Sequence, residues 1–325
     1  MISVESLTKI YGRRHAVDNI DFHADRGEIV GFLGPNGAGK TTTMRILSGF
    51  MPPTSGKATV GGFDVVEQSL EVRKRVGYLP ETVPLYTDMT VFEYLAYMGN
   101  LHKVDDVEDK VEDVLEMVNM ESRVDSYISS LSKGMRQRIG LAQALIHNPD
   151  VLILDEPTIG LDPAQIIEIR TLIRGLGAEH TVLLSTHILS EVQQLCDRIL
   201  VINKGKIVAE GTPKNLEQRL AGAGRVSLQV SGRTDGLVDL VGRVKGVESV
   251  LLAEEGRLEF LTAPGVESRP EVSRAIVNAG YDLIEIRSVG MSLEEIFLEL
   301  TADDPLRNSE EPQSPKGETD DEDEE

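Results

Sequence analysis

Gly34-Pro35-Asn36-Gly37-Ala38-Gly39-Lys40-Thr41 fits the pattern G-x-x-x-x-G-K-[ST], and Thr42 follows it. The preceding run EIVGFLG (28–34) reads as a short apolar strand, and KTTTMRILSG (40–49) reads as a helix. Strand, glycine-rich turn and helix in that order are a narrow structural demand. The glycines let consecutive backbone N–H groups point inward and wrap phosphate oxygens. The helix N-terminus adds its dipole at the same place. In such a cradle Lys40 would bridge the β- and γ-phosphates, and the Thr41 hydroxyl would hold Mg²⁺. The pattern therefore predicts an α/β domain built around a nucleoside triphosphate.

VLILDE (151–156) fits the second half of such a site. Asp155, at the end of an apolar strand, is a candidate Mg²⁺ ligand through water. Glu156, next in line, is the candidate for orienting and deprotonating an attacking water. His187 follows the apolar strand TVLLST (181–186), where an imidazole can donate to a γ-phosphate. Tyr11 is a candidate to stack on an adenine ring. Glu81, after the strand VGYLP (76–80), is a candidate to reach Mg²⁺ or the water.

The 325 residues suffice for one large domain and a small one. A single cysteine, Cys196, excludes an intrachain disulfide and fits a reducing compartment. The start MISVESLTKIYG lacks the basic and apolar regions of a signal peptide. No run of about 18 apolar residues occurs, so a membrane partner would be another polypeptide. The formal net charge is −21, of which about −9 falls in residues 302–325. An acidic body argues against coating DNA or RNA, and no nucleic-acid partner is expected.

Residues 90–147 differ in character from the flanking strands. TVFEYLAYMGNLH, DDVEDKVEDVLEMVNM and SKGMRQRIGLAQALIH all have helical periodicity, and Val107, Val111, Val114, Leu115 and Val118 fall on one face. VLILD, TVLLST and RILVIN (198–203) are continuous apolar runs, suited to a sheet covered on both faces. NKGK (203–206) reads as a hairpin turn. The α/β core with its helical insertion is expected to occupy residues 1–220. After the linker AGAGR (221–225), the order βαββαβ predicts a small ferredoxin-like α+β domain over 225–301. SLEEIFLELT (292–301) reads as its closing amphipathic helix, with Ser292 as N-cap. The acidic remainder, 302–325, is expected to be disordered.

LSKGMRQR (131–138) looks like a second phosphate-binding helix start, with Ser132 and Gly134 at its head. The order Tyr11, GPNGAGKTT, LSKGMRQR, VLILDEPT, GLD (160–162) and STH (185–187) resembles the nucleotide-binding subunit of ATP-binding-cassette (ABC) transporters over residues 1 to about 220. YLPE, LSKGMRQR and SLEEIFLEL are similar to the ATPase subunits of type-2 exporters, the relatives of drug, polysaccharide and gliding-motility exporters. The resemblance implies ATP hydrolysis with Mg²⁺ and a homodimer closed on two ATP molecules. It also implies a separate permease that holds the chain at the inner face of the membrane. It places the segment at Ser132 and Gly134 on the γ-phosphate of the partner's ATP. It makes the helical insertion, with the loop ETVPLYTDMT (81–90), the permease-docking surface. A soluble ABC ATPase acting mechanically on a macromolecule is the alternative reading. Two departures stand out: LSKGM in place of LSGGQ, and Glu81 where a glutamine is commoner. The first implies weaker ribose contacts; the second implies altered coupling or nucleotide affinity, not inactivity.

Overall fold

Two strands, β1 (Ile2–Tyr11) and β2 (Arg14–Ala24), open the chain in the computed structural model, which describes residues 1–220, 224–232, 234–252, 257–263 and 266–288. They pair antiparallel, from Ile2 opposite Ala24 to Tyr11 opposite Arg14. β3 (Ile29–Leu33) runs into the glycine-rich loop and α1 (Lys40–Leu47). β4 (Ser55–Val60) and β5 (Phe63–Asp64) complete an antiparallel sheet in the order β2-β1-β4-β5. α2 (Ser69–Arg75) leads into β6 (Val76–Leu79).

The helical insertion consists of α3 (Val91–His102), α4 (Val107–Met117) and α5 (Lys133–Leu145). Of the expected apolar stripe, Val111, Val114, Leu115 and Val118 are buried, and Val107 at the helix start is half-buried. β7 (Val151–Asp155), α6 (Pro163–Leu176), β8 (Thr181–Thr186), α7 (Leu189–Leu195), β9 (Arg198–Asn203) and β10 (Lys206–Gly211) follow, then α8 (Pro213–Leu220). The central sheet has the order β10-β9-β3-β8-β7-β6. β9, β3, β8, β7 and β6 are parallel, and β10 closes one edge as an antiparallel hairpin with β9.

The apolar runs divide between two cores because successive side chains leave a strand on opposite faces. Ile29 and Leu33 of β3, with Leu152 and Leu154 of β7, pack toward the helical insertion. Val30 and Phe32, with Val151 and Ile153, pack toward α1 and the antiparallel sheet. A sheet covered on both faces leaves its ends as the accessible places for chemistry. The C-terminal ends of β3, β7 and β8 lie side by side, with Leu33 opposite Thr186 and Asp155 opposite Ser185.

A third sheet follows: β11 (Gly224–Ser231), α9 (Leu237–Gly242), β12 (Val247–Leu252), β13 (Arg257–Thr262), α10 (Arg269–Asn278) and β14 (Asp282–Ser288). Its order β12-β13-β11-β14 is antiparallel throughout, the ferredoxin-like arrangement that βαββαβ predicts. Val226, Leu228 and Val230 meet Leu237, Val241, Val272 and Ile276 in a core of their own. The helix expected over 292–301, capped by Ser292, and the tail 302–325 lie outside the described residues. Among the described residues no helix is long and apolar enough to cross a membrane.

Candidate functional site: a phosphate cradle at the sheet end

The loop from Gly34 to Gly39 turns off the end of β3 and delivers Lys40 to the first position of α1. Gly39 adopts φ 115°, and a Cβ there would lie 2.4 Å from the Ala16 carbonyl oxygen. Only glycine fits both the dihedral and the approach. Within the loop the Ala38 N–H donates to Pro35 O at 3.2 Å. Tyr11, Asn36, Gly37, Gly39, Lys40, Thr41, Thr42, Glu81 and Glu156 line one cavity of about 440 Å³, together with Arg14, Ala16 and Ile159. Most of the residues expected to touch a nucleotide are thus brought together.

Lys40 is nearly fully buried. Its Nζ donates to the carbonyls of Gly34 at 2.8 Å and Pro35 at 3.3 Å. It also lies 3.3 Å from Glu156 Oε1. The other carboxylate oxygen of Glu156 is 2.9 Å from His187 Nδ1. Burying a carboxylate is costly unless it is paired, and here a cation and an imidazole flank it. Glu156 itself has φ 49°, a left-handed backbone uncommon outside glycine. Its N–H donates both to the Ser185 carbonyl and to Ser185 Oγ, each at 3.1 Å. Asp155 is fully buried; Oδ1 accepts from the Ser185 hydroxyl, while Oδ2 has no hydrogen-bond partner.

Tyr11 is half exposed at the cavity rim and donates its hydroxyl to Met51 Sδ. Glu81 is an exposed loop residue on the same wall. In β6, burial and then the Asp155 carboxylate push the Tyr78 phenol up to about 12, so that hydroxyl stays neutral.

The family model described as ABC transporter matches residues 17–159. The linearmycin resistance ATP-binding protein LnrL of Bacillus subtilis (strain 168) is 33% identical over 305 residues, covering 93% of this chain and 98% of that protein. The bacitracin transport ATP-binding protein BcrA of Bacillus licheniformis is 34% identical, covering 92% and 97%. The chain belongs to the ABC transporter ATP-binding family. A solved ATP-binding subunit of an ABC transporter aligns with a TM-score of 0.63 at 30% identity, over 67% of this chain and 92% of that one. The protein is an ABC ATPase, an ATP-binding and ATP-hydrolysing cassette.

In this ABC ATPase the segment LSKGM does not line the P-loop cavity of its own chain. Ser132 is the N-cap of α5, accepting from the Met135 N–H at 3.3 Å, and it is exposed. Gly134 is buried against α6, where a Cβ would lie 2.5 Å from Gln165 Oε1. The segment is therefore held by its own subunit yet presents its helix start outward. Several residues at the site of this ABC ATPase receive no role from the motifs. Arg14 donates to the Gly37 carbonyl at 3.0 Å and so grips the phosphate loop from outside. Ser185, Thr158, Thr186 and Glu191 form hydrogen bonds around the two strand ends. The available signal was the appearance of hydroxyls where otherwise apolar strands finish, as in TVLLST.

Proposed function

We propose that this ABC ATPase is the motor subunit of an exporter, in which two copies close on two ATP molecules and drive a separate membrane permease. The observation that carries the reading is Glu156, held between Lys40 and His187 at the wall of the P-loop cavity. In this reading Glu156 takes the proton of the attacking water, Lys40 bridges the β- and γ-phosphates, and His187 donates to the γ-phosphate. The backbone from Gly34 to Thr42 cradles the phosphates, and Tyr11 supplies an aromatic face to adenine. Ser132 and Gly134 act on the ATP of the partner copy.

Mg²⁺ fits the donor set. Asp155 Oδ2 is a buried carboxylate oxygen without a hydrogen-bond partner, and such an oxygen suits a hydrated cation. Asp155, the Thr41 hydroxyl and Glu81 would hold it. Bound there, Mg²⁺ would neutralise phosphate charge.

The names of the relatives, one a resistance and one a transport protein, support the export reading. For the docking face the support is exposed apolar surface: Tyr86 in the loop after Glu81, and Tyr97 and Leu101 on α3. Attachment there would hold the ATPase against the inner membrane face. The chain divides in this reading into residues 1–220, 225–301 and 302–325, with the second unit steadying or regulating the dimer.

Glu156→Gln tests the assignment. The amide keeps the size and loses the base, so ATP binds but the closed dimer cannot fire. Size-exclusion chromatography in Mg²⁺-ATP should show a dimer for this variant and mainly monomer without nucleotide. Hydrolysis at the parent rate by Glu156→Gln would remove Glu156 as the base.

A further inference from the structure

Among the described residues three acids are buried: Asp155, Glu156 and Glu191. The first two belong to the strand-end motif. Glu191 lies in the first turn of α7, is 1% exposed, and has no role in the scheme above. A carboxylate so deeply buried must be satisfied by donors. Glu191 Oε1 accepts from the Thr158 hydroxyl, and Oε2 accepts from the Thr186 hydroxyl at 2.8 Å. Thr186 Oγ1 in turn accepts from the Ile188 N–H at 3.0 Å. Both threonines are themselves buried.

The two donors come from different segments, Thr158 from the turn after β7 and Thr186 from the last position of β8. Thr158 is two residues beyond Glu156, and Thr186 immediately precedes His187. One carboxylate therefore ties the turn that follows Glu156 to the strand end that delivers His187. The tie has something to hold. The left-handed backbone of Glu156 is of a kind that persists only where the surroundings over-determine it. The 2.9 Å contact between Glu156 and His187 depends on both segments keeping their places.

We propose that Glu191 is a positioning residue. Through Thr158 and Thr186 it fixes the separation of Glu156 and His187, and it sets turnover without touching nucleotide. The proposal rests on the catalytic reading of Glu156 given above.

The test uses the purified full chain with Glu191→Gln, Thr158→Val and Thr158→Ser, and with Glu156→Gln as control. Glutamine keeps the shape of Glu191 but replaces one acceptor with a donor, so one threonine hydroxyl must turn away. Small misplacements of reacting groups cost on the order of 10- to 100-fold in rate. The expected result is a drop in kcat of about 10-fold or more for Glu191→Gln and Thr158→Val. KM for ATP and the Kd of a fluorescent ATP analogue should stay within about two-fold, because neither residue lines the cavity. Thr158→Ser restores the hydroxyl and should recover most of the turnover lost in Thr158→Val. Parent kcat in Glu191→Gln overturns the proposal. So does a loss in which kcat, nucleotide affinity and melting temperature fall together, since that marks a purely structural residue. If Glu191→Gln fails to fold, the Val and Ser variants of Thr158 decide, and equal turnover in the two overturns the proposal. The control separates the failures: an active Glu156→Gln sinks the underlying reading, whereas an inactive one leaves Glu191 to be judged alone.

Discussion

His147, just beyond α5, stacks its imidazole on His102 of α3, with ring centroids 3.9 Å apart and planes 16° from parallel. Its Nε2 donates to the Val76 carbonyl at 3.2 Å, and its Nδ1 is buried without a partner. Burial, and then the neighbouring His102, hold the His147 pKa down to about 4 from 6.5. Between those values the unfolded chain binds a proton that the folded chain refuses. Stability is therefore complete above about pH 6.5 and falls as pH drops toward 4. The linkage amounts to about 2 kcal/mol between pH 7 and pH 5. Urea unfolding at the two pH values should show that loss in the parent and a smaller one in His147→Gln; equal losses would remove the assignment. Legibility at this scale follows the same division between local and assembled features. The placement of Lys40, Asp155 and Glu156 at one end of the sheet was readable because contiguous motifs mark those positions. Glu191 and His147 were not, because their meaning depends on which loop or ring lies opposite. The position of His187 beside Glu156 was half readable: a strand end marks the place, but only the β7–β8 register supplies the partner.

α3 shows how local signals and packing combine at the level of an element. Thr90 caps it with its hydroxyl, accepting from the Glu93 N–H at 3.2 Å, while Glu93 Oε2 accepts from the Thr90 N–H at 2.8 Å. This reciprocal box satisfies two donors that the helix geometry leaves without partners. Val91, Tyr94 and Leu95 then bury one face, and Tyr97 and Leu101 remain outside. Thr90→Ala should cost about 1 kcal/mol, seen as a lower urea midpoint with an unchanged m value. A midpoint equal to the parent's would mean that packing alone holds the helix start. The helical insertion and the parallel strands were legible because their apolar spacing is unbroken. β1 and β2 were not picked out, for a physical reason: their register shifts between Val4 and Leu7, Leu7 and Lys9, and Lys9 and Ile10. Ser6 and Asn19 also take left-handed backbones, so the inside–outside alternation that marks a strand is interrupted. α6 carries its own start signals, Asp162 as N-cap and Pro163 next to it, which a reading centred on the GLD motif passes over.

For the whole molecule the decisive arrangement is the separation within one chain of the P-loop and the segment proposed to hold the partner's phosphate. The P-loop cavity sits at the sheet end, and LSKGM starts α5 away from its lining. In the proposed scheme LSKGM is the signature, so a single copy would have a cradle without a signature and a signature without a cradle. Two-fold pairing would complete both sites at once, since each contact then occurs twice. Mixing two damaged chains tests this. Lys40→Ala spoils the cradle, and Ser132→Arg places a bulky cation at the signature. Each homodimer then has two damaged sites. If the signature serves the partner, the mixed dimer has unlike sites: one carries both lesions, and the other joins the intact cradle of the Ser132→Arg chain to the intact signature of the Lys40→Ala chain. If the signature serves its own chain, both sites of the mixed dimer keep one lesion. Turnover can require both sites to fire together, so the better readout is nucleotide trapped in the closed dimer, with one chain tagged. Nucleotide trapped on the Ser132→Arg chain in the mixture, and in neither homodimer, supports pairing across the two-fold. A mixture as empty as its parents would leave the helix start at Ser132 without a phosphate to hold, and the proposed ATP-clamped dimer would fall with it.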